Sequence, residues 1–112
     1  MPFDQYEQAY DKLLEEARAA NPKLKLVLCE PFVKPTGKVN DGIRKRQEIV
    51  ARLAQKYGAA LVHFQPVFDE AAKRAPADYW VWDNVHPTYR GHQLMADEWE
   101  RVVREFWKQA AP

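Results

Sequence analysis

The segment WDNVHP, residues 82–87, places an aspartate and a histidine three residues apart, Asp83 and His86, and follows the histidine with a proline. A carboxylate that orients an imidazole supplies two of the three groups of a nucleophilic catalyst. Pro87 disfavours helical backbone angles at the preceding histidine, which helps to fix the loop. An aspartate three residues earlier can curl back to accept a hydrogen bond from imidazole Nδ1, which leaves Nε2 to face a nucleophile.

The nucleophile that this pair requires is absent from the sequence. None of the 112 residues is a serine, and the aliphatic hydroxyls are those of Thr36 and Thr88. Cys29, the single cysteine, ends an apolar run and is predicted to be a small buried hydrophobic residue. A serine mechanism therefore cannot be completed by these residues alone. The alternative that Asp83 and His86 only brace a loop with a hydrogen bond stays open at this point.

Two tryptophans, Trp80 and Trp82, flank the pair. Each indole could wall a binding site and stack on a sugar ring, or cap the core beneath the last helix. Alternation along the chain predicts that one ring does each, without saying which.

The remaining histidines are predicted to be structural. His63 lies in an apolar run and is expected to be a satisfied core or rim residue, and His92 falls in the first turn of the last helix. His92 could join Asp83 and His86 as metal ligands, but the spacing matches no established zinc pattern. No metal site is predicted.

The bulk composition excludes several classes of protein. The net charge is +1, with 46% hydrophobic and 29% charged residues, which is ordinary for a single globular domain. No basic stripe indicates a nucleic-acid partner. No apolar run approaches membrane-spanning length, and the N-terminus lacks the features of a signal peptide, so we expect no membrane partner and a cytoplasmic location.

Apolar periodicity predicts the order helix, strand, helix, strand, helix, helix, with strands at 24–29 and 59–64. The first helix is expected to begin with a capping box, Asp4 to Glu7, and to end at Asn21-Pro22. Gly58 is expected to end the second helix. Pro66 is expected in the first turn of a short helix running to about Arg74, and Thr88 is expected to be the N-cap of the last helix.

Two strands joined through a helix form a right-handed parallel unit. Such a sheet is thin, because parallel sheets normally have more strands and both faces covered. The chain is therefore predicted to be part of a larger α/β layer. The edge of the 24–29 strand is expected to self-associate or to pair with an N-terminal half.

DNVHPTYRGHQLMADEW, residues 83–99, resembles the C-terminal block of the GDSL, or SGNH, hydrolases, in which D-x-x-H-P precedes the final helix. LVLCEPF, IVARLAQKYGAALVHFQPVFDEA and YWVWD also resemble the second half of that family, especially carbohydrate esterases of the acetyl-xylan esterase kind. The likeness spans essentially all 112 residues, and the order of its elements is more specific than D-x-x-H-P alone.

The resemblance implies an α/β fold class: the C-terminal portion of a flavodoxin-like three-layer α/β/α SGNH hydrolase, with residues 1–112 as a single partial domain. It implies that Asp83 is the orienting acid and His86 the general base of a serine triad. Trp80 and Trp82 become candidate substrate-binding residues. The implied substrate is an acyl ester, especially an acetylated carbohydrate, and no cofactor is implied.

The sequence departs from the family pattern upstream of the resemblance. The G-D-S nucleophile block, the oxyanion-hole glycine and the G-x-N-D block are all missing. GKVND, residues 37–41, imitates the last of these, but its glycine is one residue too far away, and we interpret it as unrelated. The sequence therefore predicts half of a GDSL-type serine esterase that is inactive alone. The alternative is a non-catalytic truncated or associating α/β module.

Overall fold

Two short parallel strands lie between two layers of helices in the computed structural model, which describes residues 1–36 and 39–110. The elements in chain order are α1 (Phe3–Ala20), β1 (Val27–Cys29), α2 (Asp41–Tyr57), β2 (Ala60–Val62), α3 (Phe64–Ala71), α4 (Ala77–Trp80) and α5 (Tyr89–Ala110). β1 pairs with β2 in parallel, with Val27 opposite Ala60 and Cys29 opposite Val62. The predicted α/β class is confirmed.

Both strands are shorter than the predicted spans 24–29 and 59–64. Backbone hydrogen bonds from Ala60 N to Leu26 O and from Glu30 N to Val62 O, both 2.9 Å, close the ladder at its two ends. Within the described residues β1 has one neighbouring strand, so no second ladder extends it. Apolar sequence alone cannot show where pairing stops.

The two faces of the sheet bury different side chains. On one face, α1 and α2 cover a cluster made by Leu14, Leu28, Ile49, Val50, Leu53 and Ala54. On the other, α3, α4 and α5 cover a cluster made by Val62, Phe64, Phe68, Ala71, Trp80 and Val81. The adjacent residues Leu28 and Val27 pack into opposite clusters, as the alternation of side chains along a strand requires.

Most predicted helix ends are confirmed, each by a local hydrogen bond or backbone angle. Gly58 ends α2 in the left-handed conformation, with φ of 61°. The Thr88 hydroxyl caps α5 by accepting a hydrogen bond from Gly91 N at 3.2 Å. α1 ends just before Asn21, whose N–H bonds to Ala17 O.

The predicted capping box at the start of α1 is wrong. The helix already begins at Phe3, where Tyr6 N donates to Pro2 O at 2.9 Å, and no side chain caps it. Asp4 therefore lies inside the first turn, where its charge still favours the helix dipole.

Two details differ in the segment after β2. α3 contains Pro66 in its first turn as predicted, but it ends at Ala71 rather than near Arg74, because tight turns follow it. The aromatic segment before Asp83 also contains a one-turn helix, α4, which follows Pro76 and which the predicted order of elements did not include.

The molecule is flat, with extents of 43 × 36 × 18 Å and a radius of gyration of 15.2 Å. A complete globular domain of this length has a radius of gyration of about 13 Å. The accessible surface is 7453 Å², whereas about 6,400 Å² is typical for a folded monomer of this mass. The fold thus exposes more surface than a self-contained domain. Within residues 1–36 and 39–110, no helix is both long and apolar enough to span a membrane.

Gly91, in the first turn of α5, lies directly against the backbone of Trp80 at the end of α4, and its replacement by alanine is expected to destabilise the fold. A methyl group there would collide with the backbone carbonyl oxygen of Trp80, which cannot move without displacing α4. We expect Gly91→Ala to cost about 1–3 kcal/mol, lowering Tm by several degrees in a thermal melt. Gly42→Ala is the matched control, because its methyl group would meet only side-chain atoms, and an unchanged Tm in Gly91→Ala would contradict the packing described.

Candidate active site

The loop that carries Asp83 and His86 is fixed at both ends. Val81 and Pro87 form an antiparallel bridge at its base, and Trp82 N donates to His86 O at 3.1 Å. At its tip, Asn84 O accepts a hydrogen bond of 2.9 Å from Lys34 N, in the segment that follows β1. The loop is therefore held beside the segment leaving the carboxyl end of the sheet, the end at which α/β proteins bind ligands.

The Asp83 carboxylate accepts three hydrogen bonds, all from within this loop. Its Oδ2 lies 2.5 Å from His86 Nδ1, and its Oδ1 accepts from Val85 N at 2.8 Å and from His86 N at 2.6 Å. The carboxylate thus fixes both the ring and the backbone of the histidine. The His86 side chain is exposed, so the imidazole is oriented without being enclosed.

These hydrogen bonds lower the pKa of Asp83 to about 2. The backbone N–H of Val85 has the largest effect, and the side chain and backbone of His86 add to it, while partial desolvation opposes them. The carboxylate is consequently ionised at neutral pH, the state needed to orient an imidazole.

The titration of Asp83 tests this arrangement. We expect carboxyl ¹³C NMR to show a midpoint near pH 2, and His86→Ala to raise it only part of the way to its usual range, because the bond from Val85 N remains. Since the folded-state pKa is lower than the unfolded one, the carboxylate stabilises the fold above about pH 4, and this contribution is lost as pH falls towards 2. A midpoint near 4 in the wild type would contradict these hydrogen bonds.

One of the two tryptophan side chains is buried and the other is exposed, as the alternation along the chain predicts. Trp80 is buried, and its indole N–H donates to Ala71 O at 3.1 Å and to Ala75 O at 3.3 Å, so it belongs to the core. Trp82 is 64% exposed and stacks on the His86 ring, with centroids 5.7 Å apart and planes inclined by 23°. The prediction that Trp80 binds substrate beside His86 is therefore not supported, and that role stays a prediction for Trp82.

The hydroxyl and thiol groups of the chain do not complete a triad. Thr88 Oγ1 is occupied, since it donates to Tyr79 O at 2.8 Å and caps α5. Thr36 lines an open cavity of about 460 Å³ that also borders Asn84 and Val85. Among the described residues, neither hydroxyl makes a hydrogen bond to the imidazole.

The predicted burial of Cys29 is wrong, because this residue is exposed at the carboxyl end of β1. Alternation along a three-residue strand places it on the face of the sheet shared with Val27. Partial desolvation nevertheless raises the pKa of the thiol, which therefore stays protonated at neutral pH. The thiol is not an activated nucleophile.

The other histidines lie outside this constellation. His63 is exposed at the rim of the sheet, and its Nδ1 lies 2.7 Å from Glu30 Oε2. His92 is exposed in the first turn of α5. Within the part of the chain that the structure describes, no three histidine, cysteine or acidic side chains are grouped as metal ligands.

Sequence reasoning missed two features that position the pair. The backbone amides of Val85 and His86 donate hydrogen bonds to the Asp83 carboxylate and so form a local turn. An aspartate at the start of a loop is a sequence signal for such a turn. The bond from Lys34 to Asn84 joins residues fifty positions apart, and no local pattern signals it. Of the GKVND segment, Asn40 caps α2 and Asp41 begins it, while residues 37 and 38 lie outside the described residues.

Comparison with known proteins gives a consistent family. The model of the GDSL-like Lipase/Acylhydrolase family matches residues 1–94. An acetylxylan esterase from Geobacillus stearothermophilus is 28% identical over 110 residues, which are 94% of this chain and 48% of that protein. The chain thus spans about half the length of the curated relative it matches.

Solved structures agree with this match. A structure described as a GDSL-like lipase from Parabacteroides merdae is 34% identical and superposes with a TM-score of 0.81, covering 89% of this chain and 49% of that one. The G. stearothermophilus acetylxylan esterase, at 24% identity, shows the same fold with a TM-score of 0.80, covering 91% of this chain and 47% of its own.

Three further structures of that esterase are described as catalytic mutants, in which a serine, an aspartate or a histidine is replaced by alanine. The aspartate and histidine are three positions apart, and the serine lies far upstream of both. Together with the family match over residues 1–94, these likenesses show that the chain belongs to the GDSL-like lipase/acylhydrolase family.

Proposed function

We propose that the chain supplies the acid and the base of a serine esterase whose nucleophile comes from outside these 112 residues. The observation that carries the proposal is the hydrogen bond from His86 Nδ1 to an ionised Asp83, with the imidazole left exposed. A paired carboxylate and imidazole with an accessible Nε2 is the arrangement that general-base activation of a serine requires.

The proposed reaction begins when His86 Nε2 takes the serine proton as the serine oxygen attacks the ester carbonyl. The proton then passes to the departing alcohol oxygen as the carbon–oxygen ester bond breaks. Water then attacks the acyl-enzyme carbonyl as the same imidazole takes its proton. The proton returns to the serine oxygen as the acyl–serine bond breaks and the acid is released. Asp83 stays ionised throughout and holds the ring in one orientation.

The related esterase supports the assignment of residues. The aspartate and histidine of its catalytic mutants have the same spacing as Asp83 and His86, and its serine precedes both by a long stretch. The name of this relative supports an acetylated carbohydrate as substrate. Trp82, exposed beside His86, is suited to form an aromatic wall against which a sugar ring stacks.

We infer that the nucleophile-bearing partner covers surface that this chain leaves exposed. The flat shape and the excess accessible surface both support a missing part of the fold beside the sheet, since helices already cover its two faces. The outer edge of β1, which has no neighbour among the described residues, offers backbone groups to a further strand. The same edge would support the second candidate, a non-catalytic module that associates with other copies of itself.

Comparison of two proteins tests the proposal: the chain alone, and a joined protein in which residues 1–112 follow the serine-bearing part of the G. stearothermophilus relative. We expect the chain alone to hydrolyse 4-nitrophenyl acetate at the background rate and the joined protein to turn it over. Turnover by the chain alone that disappears in His86→Ala would contradict a nucleophile from outside. A folded joined protein without turnover would favour the non-catalytic module.

A further inference from the structure

A second cavity, of about 380 Å³, lies between α4 and the start of α5, beyond the base of the loop that carries Asp83 and His86. This volume lies in the range of small-molecule sites in proteins. The cavity is lined by Tyr79, Trp80, Tyr89, Arg90, Gln93 and Leu94. Because Trp80 is buried in the core, the exposed part of this lining is formed by the Tyr79 and Tyr89 rings, the Arg90 guanidinium and the Gln93 amide. Such a combination of aromatic and polar groups suits a small polar ligand.

The Arg90 guanidinium is held in place by aromatic rings and not by acids. The Cζ atom of Arg90 lies 4.6 Å from the Tyr79 ring centroid and 5.0 Å from the Tyr89 ring centroid. Arg101 and Arg104, on the same helix, each form an ion pair with a glutamate, whereas Arg90 forms none with the described residues. The planar donor edge of Arg90 is thus oriented and has no protein acceptor there.

The position of Arg90 is also electrostatically unfavourable for the free protein. It is the second residue of α5, next to the positive end of the helix dipole, and the first turn contains no acidic residue. A cation at a helix N-terminus is normally destabilising, and a bound anion would remove that cost. Both the unpaired guanidinium and the helix end therefore favour an anionic ligand in this cavity.

The aromatic lining limits what kind of anion fits. Tyr89 is 75% exposed, so the face of its ring that does not hold the Arg90 guanidinium is available for stacking. A pyranose presents C–H groups that stack on such a face, and a carboxylate on the same ring can accept two parallel hydrogen bonds from arginine. Gln93, also at the cavity, donates from its amide nitrogen to Asp97 Oδ1 at 2.8 Å, which leaves its amide oxygen to accept from a sugar hydroxyl.

We propose that this cavity binds a carbohydrate unit bearing a carboxylate, with the carboxylate on Arg90 and the sugar ring against Tyr89. The choice of a sugar rests on the proposed carbohydrate substrate, whereas the choice of a carboxylate rests on Arg90 itself. The site lies apart from the Asp83–His86 pair and would hold an acidic sugar of the same polymer while an ester elsewhere on it is cleaved.

Titration of the ¹⁵N-labelled chain with D-glucuronate, D-glucose and acetate at constant ionic strength tests the proposal without any ester or serine. We expect glucuronate to cause saturable shifts of the Tyr79, Tyr89 and Arg90 amides, and glucose and acetate each to bind about tenfold more weakly. This binding result does not depend on esterase activity. The binding proposal and the esterase proposal can therefore be contradicted independently.

Variants locate the binding. Arg90→Gln is expected to weaken glucuronate binding about tenfold or more, Arg90→Lys by less because it keeps the charge without the planar fork, and Arg104→Gln not at all. Tyr89→Ala should remove the advantage of glucuronate over acetate. Equal binding of glucose or acetate, an unchanged affinity in Arg90→Gln, or no saturable shift with glucuronate would overturn the proposal.

Discussion

Replacing His86 with alanine is expected to lower kcat of the joined protein by at least about 10⁴-fold, because the variant lacks the group that we propose takes the serine proton. In the described residues, the imidazole is the only side chain bonded to the Asp83 carboxylate. Its removal leaves the serine a weak nucleophile, so binding of the ester persists while the chemical step is lost. Initial rates with 4-nitrophenyl acetate and with acetylated xylo-oligosaccharides would measure the effect.

His92→Ala is the matched control for this variant. It removes an exposed histidine six residues away, in the first turn of α5, without touching the loop. We expect its kcat to remain within about twofold of the wild type, as is usual for a surface substitution. Comparable losses in both variants would show that the chemistry does not depend on His86 in particular.

Replacing Asp83 with asparagine is expected to lower kcat by about 10⁴-fold, as loss of the triad carboxylate does in serine proteases. The amide oxygen of asparagine can keep the two backbone hydrogen bonds now made by Oδ1, from Val85 N and His86 N. Its NH₂ group then faces imidazole Nδ1 as a donor. The ring must therefore carry its proton on Nε2, the atom that has to accept the serine proton.

Because the loop keeps its backbone bonds, this variant should fold normally and change KM little, which separates a catalytic effect from a structural one. Asp97→Asn provides the control, since among the described residues that carboxylate accepts a hydrogen bond only from Gln93, on the exposed surface of α5. A decrease in kcat of less than tenfold in Asp83→Asn, with the fold intact, would show that the hydrogen bond between Asp83 and His86 only stabilises the loop.

Local signals in the sequence predicted the parts of the fold that local physics determines. Gly58 and Thr88 mark helix ends because a left-handed backbone or a side-chain acceptor acts within a few residues. The Asp83–His86 bond belongs to the same category, because three residues of loop suffice to form it. The capping box failed because Pro2 offered an equally local and earlier helix start.

Features that depend on contacts between residues far apart in the sequence could not be predicted. The exposure of Cys29 and the brevity of β1 both depend on which strands are available to pair, and this is not encoded within a strand. The separate roles of Trp80 and Trp82 required knowing that Trp80 ends α4 and packs into the core, whereas Trp82 lies exposed in the loop that follows. Likewise, the Arg90 cavity forms only when Tyr79 and Tyr89, ten residues apart, both approach Arg90 at the α4–α5 junction.

The identity of the residue that reacts with a fluorophosphonate probe in the joined protein tests the central claim most directly. Such a probe forms a covalent bond with a serine that a neighbouring imidazole activates. Peptide mass spectrometry should find the label on a serine outside residues 1–112, and His86→Ala should abolish labelling. A label on Thr36, Thr88 or Cys29, or labelling that persists without His86, would contradict the assignment of Asp83 and His86 as the acid and base of an esterase completed from outside the chain.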